Sequence, residues 1–183
     1  MNRKIALLIF NIVFIASYFG YAYYESKPSN SDSPSSSISD LPQPNESFYV
    51  LDSADLLTPE TEQTIINYNI EMEKTDEAPQ IVVVTIPTTE DNSIEDYAVD
   101  LFEEWGIGNA DYDNGVLLLV TADGHERLEI GYGLEGTIPD SLAGSYLSRA
   151  SVYFDSQKYN EGVINVFDEV KNDIMLELSL IHI

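Results

Sequence analysis

The residues best equipped for chemistry are carboxylates set beside turn signals. Asp111-Tyr112-Asp113-Asn114-Gly115 feeds the apolar run Val116–Val120, which reads as a buried strand with two acids at its mouth. Acids fixed by a stiff strand can be aimed at a ligand, and their blandest role is to shape the turn. Asn109-x-Asp111-x-Asp113 has the alternating oxygens of a calcium loop. The glycine, however, falls at Gly115, and Val120 stands where a bidentate glutamate belongs, which rules out an EF-hand. Two or three of these oxygens can still join ligands from elsewhere. Asp52 and Asp55 follow another short apolar stretch. If its end lies alongside, then Asp52, Asp55, Asp111, Asp113 and Asn114 supply hard ligands for a divalent cation, calcium before zinc.

Other chemistries fit less well. Asp111-x-Asp113 matches the D-x-D of hydrolases with an aspartyl nucleophile, but there the strand precedes the motif and here it follows. Gly131-Tyr132-Gly133-Leu134-Glu135-Gly136 matches G-x-G-x-x-G. Yet Thr137-Ile138-Pro139 delays the next helix, and Glu129 and Glu135 put negative charge where a pyrophosphate would sit. These glycines read as positions of positive φ or close backbone approach, with no dinucleotide site. His125 beside Asp123 reads as an exposed turn histidine, and no Ser-His-Asp order can be built around it. The tyrosines and Trp105 lie on apolar faces and read as core. No catalytic residue is assigned.

Charge narrows the partners. The chain of 183 residues carries 8 Lys and Arg against 32 Asp and Glu, a formal charge of −24. Such a field repels nucleic acid and anionic headgroups and attracts cations and basic partners. With no cysteine, disulfides and thiolate metal sites are excluded.

Several elements must position these residues. Arg3 and Lys4 precede the uncharged segment Ile5 to Tyr24, long enough for one transmembrane helix with its N-terminus in the cytoplasm and the rest of the chain outside. A signal peptide cleaved near Gly20-Tyr21-Ala22 is the competing reading. Residues 1–25 are thus anchor or signal. Residues 26–45, rich in Ser and Pro, form a disordered tether, and 46–177 form one folded domain.

Within that domain, strands are expected at Phe48–Leu51, Gln80–Ile86, Val116–Thr121 and Arg127–Ile130, the last two joined by an Asp123-Gly124 hairpin. Helices are expected from Thr58-Pro59 to Lys74, from Ser93 to Gly106, from Asp140, and from near Asn160 with Val163, Phe167, Val170 and Ile174 inward. Helices interleaved with buried strands, one pair antiparallel, make an α/β domain with a small mixed sheet. Residues 178–183 fit neither the last helix nor a cap. They read as a non-native tail, like a translated transposon end, on a truncated reading frame.

Val50–Leu57, Gln80–Thr85, Trp105-Gly106-Ile107-Gly108, Asp113–Leu118 and Gly131–Gly136, taken in order, resemble the TPM domain family, which includes a thylakoid lumen protein, a photosystem II repair factor and a receptor modulator. The resemblance covers Phe48 to Asp173. It implies an α/β/α sandwich outside the cytoplasm, near a membrane, here behind one N-terminal transmembrane helix. It also implies calcium binding or low-specificity acid phosphatase activity in some members. The reading is a membrane-anchored extracytoplasmic module that binds divalent cation and serves assembly or maintenance of envelope proteins. The alternative is a metal-dependent phosphatase.

Overall fold

The computed structural model describes residues 38 and 40–181. The transmembrane or signal segment and most of the tether lie outside them. Among the described residues no helix is long and apolar enough to cross a membrane.

Four strands form one mixed sheet in the order β1 (Val50–Asp52), β2 (Gln80–Ile86), β3 (Gly115–Thr121) and β4 (Glu126–Ile130). The first three are parallel and β4 returns antiparallel through the Asp123-Gly124 turn, where Gly124 takes φ +97. Every residue of β3 is buried, as are Ile81–Ile86 of β2. Strands that apolar on both faces demand helices on both sides.

Those helices are α1 (Pro59–Met72), α2 (Ile94–Trp105), α3 (Asp140–Phe154) and α4 (Tyr159–Ile181). Thr58 caps α1 ahead of a first-turn proline, Ser93 caps α2, and Gly106 ends α2 in the left-handed conformation. α4 packs against α1 and α3, while α2 lies on β3 and β4 apart from them. Asn69, fully buried on α1, donates to the Ile81 carbonyl at 2.8 Å and accepts the Ile81 amide at 2.9 Å, pinning helix to sheet. Asn165 Oδ1 on α4 is buried without a hydrogen-bond partner.

Both ends of the expected domain change. The tether's last residues belong to the fold: Trp105 Nε1 donates to the Pro42 carbonyl at 2.8 Å, Ile38 N to Asp100 at 2.9 Å, and Ile38 and Leu41 pack on the core. At the other end α4 runs on to Ile181 and buries Leu178 in the core, four residues after Ile174. The expectation that residues from 178 fit no helix is therefore corrected, because the apolar stripe continues at helical spacing.

Candidate functional site

The sheet register decides which acids can meet. Asp52 pairs with Thr85, and Thr85 with Val120, at the carboxyl ends of the parallel strands. Asp111, Asp113 and Asn114 precede Gly115, which pairs with Gln80 at the amino ends. Five residues of β3 separate the two levels, about 17 Å at strand rise. The single cation site of Asp52, Asp55, Asp111, Asp113 and Asn114 is therefore corrected. Two acids lie at one end of the sheet and the other three residues at the opposite end.

At the amino end the chain folds by close backbone approach. A Cβ on Gly115 would lie 2.1 Å from the Ile107 carbonyl oxygen, on Gly131 2.2 Å from that of Asp113, and on Gly133 1.8 Å from that of Tyr112. Gly131 N donates to the Gly115 carbonyl at 2.8 Å, and Gly133 N to that of Asp113 at 2.9 Å. The first two glycines of G-x-G-x-x-G thus allow two chain segments to touch. A 3-10 turn, Tyr132–Leu134, contains the second of them and stands in place of a long helix.

Of the three residues expected to ligate at this end, Asn114 spends its side chain within the fold. Asn114 is buried, its Oδ1 accepts the Asn109 amide at 2.9 Å, and its Nδ2 donates to the Glu77 carbonyl at 2.9 Å. It is a cross-link between two loops. Asn109 Oδ1 accepts the Asp111 amide at 3.0 Å, and the Asn109 carbonyl accepts the amides of Tyr112 and Asp113. Asp113 takes φ +48, so the turn-shaping role holds here. Asp111 and Asp113 are exposed. Tyr112 and Tyr132 are 44% and 78% exposed, so these two tyrosines are not core, whereas Tyr49, Tyr97, Tyr146 and Trp105 are.

At the carboxyl end Asp52 closes its own loop. Its carboxylate accepts Leu56 N at 3.0 Å, Leu57 N at 2.9 Å and the Thr85 hydroxyl. Asp55 is exposed at φ +55. Glu62, reaching the same edge from α1, has its carboxyl raised by burial and then by the charges of Asp52 and Asp55. Nothing local in the sequence marked Glu62 or Thr85. Thr85 enters through the pairing of β1 with β2, and Glu62 through the placing of the α1 N-terminus near Asp52 and Asp55.

The β3–β4 hairpin shares this edge. A cleft of about 200 Å³ is lined by Thr121, Asp123, His125, Glu126 and Asp155 among others. The hydroxyls of Thr121 and Thr88, then His125, hold the Asp123 carboxyl down to about 2, while burial and then Asp155 raise that of Glu126. His125 is exposed, with Nδ1 3.3 Å from Asp123 Oδ1. Among the described residues no three His, Asp or Glu side chains are gathered closely enough to hold a metal ion.

A family profile described as the TPM domain matches residues 50–173. Among solved structures, the N-terminal domain of a Porphyromonas gingivalis protein is 32% identical, with TM-score 0.64 over 72% of this chain and 84% of that one. The BA42 protein of the psychrophilic bacterium Bizionia argentinensis is 22% identical, with TM-score 0.54 over 64% and 80%. The N-terminal domain of a Corynebacterium glutamicum protein is 14% identical, with TM-score 0.54 over 74% and 84%. The last two speak for the fold alone. The search of curated proteins returned no match. From the profile match and the Porphyromonas likeness, this chain belongs to the TPM domain family.

Proposed function

We propose that the chain is a membrane-tethered extracytoplasmic binding module that serves the assembly or maintenance of envelope proteins by holding them. The observation that carries this reading is the division of the acids. The exposed Asp111 and Asp113 stand at the amino end of β3, while the Asp123–His125 turn follows its carboxyl end, seven strand residues away. A nucleophile and its base must lie within hydrogen-bond reach, so these groups do not serve one chemical step together. Arg3 and Lys4 before Ile5–Tyr24 support the tether and its orientation. Crosslinking in intact cells from a photoreactive residue at the exposed position 112 tests the reading, with capture of a membrane or envelope protein expected. Capture of cytoplasmic proteins only would contradict it.

A divalent cation, calcium by donor hardness, enters this reading at the Asp52, Asp55 and Glu62 edge, where burial first, and then the charges of Asp52 and Asp55, raise the Glu62 carboxyl. Asp55 and Glu62 would have to close on the ion. The expected result is a calcium-dependent rise in Tm by mass action, lost in Asp55→Asn with Glu62→Gln and kept in Asp113→Asn. Loss in Asp113→Asn instead would return the cation to the opposite end.

A low-specificity acid phosphatase is the second reading, favoured by the cleft that joins Asp123, His125 and Glu126. Phosphomonoester turnover abolished by Asp123→Asn would promote it above binding. Turnover equal in wild type and variant would leave it behind.

A further inference from the structure

We propose that the cleft between the end of α2 and the loop that follows it receives a lysine or arginine side chain from a basic segment of a partner protein. The inference rests on the binding-module reading and names the face and the partner chemistry. The cleft, about 190 Å³, is lined by Phe102, Glu103, Ile107, Ala110 and Asp113 among others. Its floor is apolar, since Ile107 is buried and Phe102 half-buried, and an acid stands among the lining residues from each side, Glu103 from the helix and Asp113 from the loop. An aliphatic stem with a cationic head matches that division, as long basic side chains lay their methylenes on apolar surface and keep their charge at the rim.

Two further observations point the same way. α2 ends here, at the negative pole of its dipole, with no basic residue in its last turn. No Lys or Arg occurs between Ala78 and Glu126 or between Leu128 and Ser148, and neither Glu103, Asp111, Asp113 nor Glu135 is in an ion pair among the described residues. The counter-charge to these acids is left for a partner to supply. Tyr112 precedes Asp113 in the chain and Tyr132 precedes Gly133, which is bonded to Asp113, and both are exposed, so an aromatic ring is available to further cations of the same segment. The glycine contacts hold this loop's backbone, so little order is lost on binding.

Fluorescence anisotropy of the full chain in detergent with a labelled peptide of alternating arginine and glycine, at physiological ionic strength, tests this. Asp113→Asn with Glu103→Gln should weaken binding about tenfold, as expected for loss of charge-assisted contacts. Ala110→Phe, which fills the cleft without changing charge, should weaken it to a similar degree, and a citrulline version of the peptide should not bind. Glu60→Gln with Glu95→Gln, equal in charge but remote, should leave the affinity unchanged. Equal weakening by the remote pair, or full affinity in Ala110→Phe, would overturn the cleft and leave only diffuse attraction to an acidic surface. The crosslinking experiment above reads out separately, since an envelope protein can lie against position 112 without placing a basic side chain in the cleft.

Discussion

The amide of Gly133 donates to the carbonyl of Asp113 at 2.9 Å, fastening the turn after β4 onto the loop before β3. Tyr112, Asp113, Gly131 and Gly133 meet only because the glycines carry no Cβ. The end of the sheet that displays exposed acids and tyrosines is therefore held from within by backbone contact. A ligand meeting this end finds a surface whose shape is already set.

Gly133→Ala places a methyl 1.8 Å from the Tyr112 carbonyl oxygen, so it should cost about 3 kcal/mol as backbone is forced apart. Gly144→Ala, in the exposed face of α3 with nothing within 4 Å, should instead stabilise by about 1 kcal/mol through helix propensity. Urea denaturation of the two variants checks the contrast, and equal effects would argue against the weld.

Asn114→Ala leaves the Asn109 amide and the Glu77 carbonyl without a partner, at a cost of about 2–4 kcal/mol. The loss should be the same with calcium or chelator present, because both polar atoms of the side chain are engaged in linking the loops. A loss seen only with calcium would restore Asn114 as a ligand.

Glu62→Gln should raise the Tm at neutral pH. Burial, then Asp52 and Asp55, raise the Glu62 carboxyl above its ordinary 4.5, so the folded state loses stability as pH rises through the raised value. Below 4.5 the carboxyl is protonated in folded and unfolded chains alike. The advantage of the variant should therefore open as pH rises and vanish in acid, and a gap independent of pH would refute the assignment. Melting curves across the acid range provide the readout.

Much of the fold was legible because its signals are local. The Thr58-Pro59 and Ser93 caps, the Gly106 stop, the Asp123-Gly124 turn and the apolar runs of β2 and β3 each fix an element within a few residues. The candidate site was less legible because it depends on which strand ends lie together. Asp52 and Asp113 both stand at strand ends, but Asp52 is the last residue of β1 whereas Asp113 precedes β3, and in parallel pairing that puts them at opposite ends of the sheet. The contacts of Ile38, Leu41 and Pro42 with the domain were hidden by their Ser- and Pro-rich surroundings, although Trp105 needed a partner for its indole N–H. Tyr132 was read with the other tyrosines as core, but it opens the 3-10 turn after β4 and is exposed there.

The separation of the two acid groups is the claim on which the rest depends, and the absence of native cysteine makes it directly measurable. Ser53→Cys beside Asp52 and Ala110→Cys beside Asp111 are exposed or half-exposed positions for a pair of spin labels. Double electron–electron resonance should give a mean distance of about 20 Å or more from the strand rise and spacing, unchanged by calcium. A distance within about 10 Å, with calcium or without, would bring the acids together and contradict the account.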